Sequence, residues 1–158
     1  MRKVELSEEQ RKAVLTPGNL VVRAGAGSGK TEVLARRFVA LIAGDIEGTP
    51  PLSPEQIVAI TFTEKATCDM KERIAEVLND RLEAKNGADP VHLKRARRAL
   101  PAARISTIHA FCARLLHENP LEAGLDPAFE VLDEYQSVTF IERRCEQLLI
   151  DALRAGDP

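Results

Sequence analysis

The chain of 158 residues is 44% hydrophobic and 29% charged, the make-up of one folded domain or of one domain and the start of another. None of its apolar runs approaches the roughly 20 residues that span a bilayer, and Met1-Arg2-Lys3-Val4-Glu5 leads into charge instead of an apolar stretch. Neither a transmembrane helix nor a signal peptide is read, no membrane partner is expected, and the cytoplasm is the expected location. A net charge of −2 gives no general pull toward nucleic acid.

Ser7-Glu8-Glu9-Gln10 has the S-x-x-Q form of a capping box and predicts a short helix to about Leu15, closed by the turn signal Thr16-Pro17-Gly18-Asn19. Leu20-Val21-Val22 reads as a buried strand feeding a glycine-rich loop. Leu34, Phe38, Leu41 and Ile42 then recur at helical spacing in a helix that stops near Gly44. After a Gly- and Pro-rich loop, Ile57 to Phe62 reads as a second buried strand, and Met70, Ile74, Val77, Leu78 and Leu82 fall on one helical face. Asn86-Gly87-Ala88-Asp89-Pro90 breaks that pattern, and a short basic helix runs to Leu100. Arg104-Ile105-Ser106 reads as a brief third strand entering a helix through Ile108, Phe111, Cys112, Leu115 and Leu116. Phe129 to Leu132 is a candidate strand, and Val138 to Ala152 makes a last amphipathic helix. Strands alternating with helices point to βαβ units and a parallel sheet.

Two groups of side chains call for an ordinary reading. Lys94, Arg95, Arg97, Arg98 and Arg104 are expected to form a solvated helix face rather than a phosphate track. Cys68, Cys112 and Cys145 lack metal-ligand spacing, and the latter two lie within apolar stripes, so reduced core thiols are expected.

The sharpest motif is Ala24-Gly25-Ala26-Gly27-Ser28-Gly29-Lys30-Thr31, set between an expected strand and a helix start. Small residues let successive backbone N–H groups converge on phosphate oxygens, and the helix adds the positive end of its dipole. Lys30 would reach the β- and γ-phosphates of a nucleotide, and the Thr31 hydroxyl would ligate Mg²⁺. Ala24 stands where the strict pattern has glycine.

With Ala in first place, this loop resembles that of the UvrD-like (superfamily 1) DNA helicases, and most of all their AddA/RecB-type branch. Leu6 to Val14 resembles that family's Q motif, which implies that Gln10 reads the adenine edge; read alone, Gln10 is the last member of a capping box. Thr61-Phe62-Thr63-Glu64-Lys65-Ala66 with Met70 to Ile74 resembles motif Ia, which implies single-stranded DNA on Phe62, Thr63 and Lys65. On composition alone Phe62 is a core residue. Ile105 to Phe111 resembles motif Ic and implies that Thr107 and His109 face the strand. Within the resemblance, Glu64 replaces the usual Asn, Thr67-Cys68-Asp69 replaces small residues and Glu, and Glu32 replaces an Arg, which would weaken a nucleotide contact.

Val131-Leu132-Asp133-Glu134-Tyr135-Gln136-Ser137 is similar to motif II, in which Asp133 would hold Mg²⁺ and Glu134 would polarise the attacking water. Glu130 interrupts the apolar strand such an aspartate needs and the second Asp after Gln is missing, so Asp133 and Glu134 are expected to cap the last helix. The resemblance thus implies the following. Residues 1–118 are the N-terminal part of an α/β, RecA-like P-loop domain, a parallel sheet flanked by helices, and 119–158 start a helical insertion. The function implied is the ATP-binding fragment of an ATP-dependent DNA helicase that moves on single-stranded DNA in repair or recombination, with a helicase–nuclease partner. The fragment is expected to bind ATP and Mg²⁺ without efficient hydrolysis. The alternatives are a self-sufficient P-loop ATPase or kinase-like enzyme using Asp133 and Glu134, and a non-catalytic DNA-binding module.

Overall fold

The computed structural model describes residues 5–25, 27–84 and 89–156, and the chain divides into two compact units, Met1–Cys112 and Ala113–Pro158. In the first unit, Ser7 caps α1 (Glu8–Leu15), and the expected capping box forms in full: Gln10 N–H donates to Ser7 Oγ and Ser7 N–H to Gln10 Oε1. Helix α2 (Lys30–Ala43) starts from the glycine-rich loop and stops at Gly44, whose φ of 72° lets its N–H reach back to the carbonyls of Ala40 and Leu41. A β-carbon at Gly44 would stand 2.8 Å from Pro51 Cγ, so this turn needs glycine twice over.

Strand β1 (Val58–Thr61) pairs in parallel with β2 (Arg104–Thr107), in the register Val58 to Arg104 and Thr61 to Thr107. The crossover between them holds α3 (Glu64–Ala84) and α4 (Pro90–Ala99). Alternation decides which side chains go inward: Ala59, Thr61, Ile105 and Thr107 are buried while Val58 and Ile60 are exposed. Phe38 and Ile42 of α2, Met70, Ile74 and Leu78 of α3 and Leu93 of α4 complete that core. A smaller cluster of Val14, Val33, Ala40 and Ile46 seats α1 on α2. His92 Nε2 lies 2.9 Å from the Ile42 carbonyl, tying α4 to the end of α2. The basic stretch is largely a solvated face, with Lys94, Arg95 and Arg98 exposed and Arg97 donating to Asn79 Oδ1 at 3.2 Å.

Helix α5 (Ile108–Glu118) begins in the first unit and ends in the second. In the second unit the His117 ring stacks on Phe129 at a centroid distance of 4.1 Å, and α6 (Glu134–Ala155) follows. No described helix is long and apolar enough to cross a membrane.

Three expectations are corrected. Leu20-Val21-Val22 is not a strand: β1 and β2 pair only with each other among the described residues, and without a ladder partner β-branched composition does not make a strand. Val21 is accordingly 89% exposed. Phe129 to Leu132 is likewise unpaired. All three cysteines are exposed, because an apolar stripe shows that a helix has an apolar face and not that anything is packed on it.

Candidate functional site

The glycine-rich loop runs directly into α2 and is bonded to α1 through Gln10. Gly27 and Gly29 have φ of 74° and 79°, the left-handed conformation that glycine adopts without strain; Ala26, assigned to the loop from sequence, lies outside the described residues. Ser28 Oγ donates to the Gly25 carbonyl at 2.7 Å. Lys30 Nζ folds back over the loop, donating to the carbonyls of Ala24 (3.0 Å) and Gly25 (2.5 Å). Thr31 is exposed in the first turn of α2. An ammonium beside the N–H groups that open a helix suits the negative charge and acceptor oxygens of a polyphosphate.

Gln10 does more than close its capping box. Its Nε2 donates to the Ser28 carbonyl at 3.0 Å, so the α1 side chain is fastened to the loop itself. A carboxamide has two N–H groups and two lone pairs, so one of each remains for a base edge. The capping and adenine-reading roles are therefore compatible. A cavity of about 660 Å³ opens here, lined by Gln10, Leu20, Val22, Lys30 and Leu34 among others: apolar walls, an amide at one side and a cation, as a nucleotide requires.

Glu32 faces away from this chemistry. Its carboxylate accepts from Arg36 Nε at 2.5 Å, from Arg73 Nη2 at 2.8 Å and from Arg73 Nε. The bond from Arg73 is the main cause that holds Glu32 below the ordinary carboxylate value, against desolvation that pushes the other way.

The two strand-to-helix turns that the sequence associates with DNA stand side by side because β1 and β2 are neighbours. Phe62 is 96% exposed, which corrects its reading as a core residue: it falls at the end of the strand, where nothing covers its side. Thr63 Oγ1 accepts from Ala66 N–H at 3.1 Å and opens α3, and Lys65 is exposed. Beneath the turn the hydroxyls of Thr61 and Thr67 meet at 2.6 Å, so Thr67 is a buried support. Thr107 is also buried. Its hydroxyl donates to Glu64 Oε1 at 3.2 Å and accepts from Ala110 N–H at 3.3 Å, while His109 is exposed. In the sequence Glu64 and Thr67 stand out only as departures from the family pattern and Arg37 not at all, because their partners are distant in the chain or under the turn. In the second unit, Asp133 Oδ1 accepts from Gln136 N–H at 2.7 Å and Gln136 Oε1 from Asp133 N–H at 3.0 Å, a capping box at the start of α6.

Loop, capped glutamine and paired turns together define the class. The chain belongs to the UvrD/REP helicase N-terminal domain family, whose sequence profile matches residues 6–155. Among curated relatives, an ATP-dependent helicase/nuclease subunit of Exiguobacterium sibiricum is 34% identical over 156 residues, covering 98% of this chain and 13% of that protein. The protein of the same name from Desulforudis audaxviator is 39% identical over 142 residues, 89% of this chain and 11% of its own length. That of Bacillus licheniformis is 31% identical over 153 residues, 96% and 12%. The chain thus spans about an eighth of the length of these relatives.

Proposed function

We propose that this chain is the nucleotide-binding front part of an ATP-dependent DNA helicase, a portion of a RecA-like P-loop domain that works on single-stranded DNA within a helicase–nuclease complex. The observation that carries the reading is the convergence of Gln10 Nε2 and Lys30 Nζ on one short loop, at 3.0 Å from Ser28 O and 2.5 Å from Gly25 O. In this reading the amides of Gly25–Gly29 and Lys30 would hold the β- and γ-phosphates, Gln10 would meet adenine, and Thr31 would hold Mg²⁺, which would supply charge neutralisation. Phe62, Thr63, Lys65 and His109 line the strand contact, with Phe62 offering a ring to a base and Lys65 a charge to a phosphate. Thr107 supports that surface from below through Glu64.

Hydrolysis through this segment would need Asp133 free to hold Mg²⁺ beside Glu134, and Asp133 is engaged in capping α6. The chain is therefore expected to bind ATP with little turnover. Titration with a fluorescent ATP analogue and Mg²⁺ tests this: binding should be saturable and lost in Lys30→Ala, with phosphate release near background in the presence of a single-stranded oligonucleotide. Absence of binding would sink the proposal. Robust release abolished by Lys30→Ala would instead make Asp133 and Glu134 catalytic.

A further inference from the structure

We infer that Arg37 is the positioning residue for base recognition: it fixes α1, and through α1 the Gln10 carboxamide, at the nucleobase end of the cavity. The inference rests on the proposal that this cavity takes ATP. Arg37 lies about two turns beyond Lys30 on α2 and lines the same cavity. Its Nη1 donates to the carbonyls of Ala13 (3.0 Å), Val14 (3.2 Å) and Thr16 (2.8 Å), and its Nη2 to Gly18 at 3.4 Å. These carbonyls belong to the end of α1 and the turn after it, where an α-helix leaves its acceptors without intrahelical partners and its dipole is negative.

Helix α1 has eight residues, too few to persist alone in water, where roughly 12–15 are marginal. Its placement depends on what holds it from outside: Val14 in the small apolar cluster, Gln10 on Ser28 and the guanidinium of Arg37. Gln10 sits less than a turn before Ala13, so a shift at the Arg37 end moves the carboxamide directly. The phosphate loop also has bonds of its own, from Ser28 Oγ and Lys30 Nζ, that do not involve Arg37, and its link to α1 is the Gln10 bond to the Ser28 carbonyl. Base selectivity and phosphate affinity should therefore separate.

The test uses the whole chain and three probes with Mg²⁺: ATP, GTP and inorganic tripolyphosphate. Wild type should prefer ATP to GTP, because guanine presents two acceptors where the adenine edge presents an acceptor and a donor. In Arg37→Met, which keeps the apolar stem, ATP affinity should fall about tenfold, the loss of one or two hydrogen bonds, toward that of GTP. Tripolyphosphate should stay within about twofold, since its contacts are untouched. Arg37→Lys should lose the preference too, since the lysine stem is one bond shorter and its ammonium falls short of the point where Nη1 meets the three carbonyls, and it has no second nitrogen for Gly18. Adding Gln10→Ala to either variant should cause no further loss, as for two residues acting in one unit. Amide exchange on the wild type gives a reading independent of any variant: ATP should slow exchange in α1 and tripolyphosphate should not. An unchanged ATP preference, an equal fall for all three probes, or α1 protection by tripolyphosphate would overturn the assignment. Wild type that binds ATP while the variants behave so sinks this inference alone, whereas wild type that binds none of the probes removes the functional proposal and this one together.

Discussion

Arg73, in the third turn of α3, grips Glu32, the third residue of α2, through both Nε and Nη2. The pair joins the helix that opens with Lys30 to the helix that opens beside Phe62 and Thr63, and it is shielded, with 12% of the Glu32 side chain and 25% of Arg73 accessible. Arg36 and Glu76 extend it into a network of four charges. A planar fork on a carboxylate is among the stronger ionic contacts available to a protein.

Glu32→Gln should lower stability at neutral pH by about 1–3 kcal/mol, as expected for bonds to a charged group. The folded-state pKa of Glu32 is depressed below its ordinary 4.5, so the contribution is fully present above that value. It is lost as pH falls through the depressed value, when the folded carboxylate takes up its proton. Urea unfolding of both proteins should show a gap at pH 7 that narrows as the pH is taken progressively below 4.5. A gap independent of pH would mean that the charge on Glu32 is not what matters.

Thr107 has its hydroxyl turned inward, onto Glu64 and the start of α5. Thr107→Val keeps the shape and removes both bonds, and should cost about 1–2 kcal/mol, the range for a lost helix cap. Thr107→Ser should recover most of it. Thermal unfolding checks this. Unchanged stability with weakened oligonucleotide binding would show that the hydroxyl faces the strand after all.

Phe62 should behave in the opposite way. With 96% of the residue exposed, Phe62→Ala should change stability by no more than about 0.5 kcal/mol. Oligonucleotide affinity should drop by about 1–3 kcal/mol, the worth of one base stacked on a ring. Lys65→Ala should instead reduce the salt dependence of binding by about one phosphate contact. Fluorescence anisotropy across a salt series separates the two.

Two glycines with the same backbone sign should respond differently to alanine. Gly44 and Gly18 have φ of 72° and 74°, but an added β-carbon meets Pro51 at 2.8 Å at the first and nothing within 4 Å at the second. Gly18→Ala should cost about 1 kcal/mol, the left-handed backbone alone. Gly44→Ala should cost more, since Pro51 or the end of α2 must also move. Equal losses by denaturant unfolding would show that the Gly44 turn yields without strain.

Signals confined to a few adjacent residues could be read without coordinates. The capping box at Ser7–Gln10, the cap at Asp133, the stop at Gly44 and the order of loop and helix around Lys30 all follow from intrinsic backbone preferences and from groups close in the chain. The same holds for β1 and β2, whose β-branched runs lie next to clear turns. Packing alone settled the rest. Nothing near Glu32 announces Arg73, and nothing near Ala13 announces Arg37, because each partner comes from another element. Composition placed Phe62 and two cysteines inside, but an apolar side chain is buried only where another surface meets it. Leu20–Val22 has the residues of a strand and no neighbour among the described residues, and a ladder needs both.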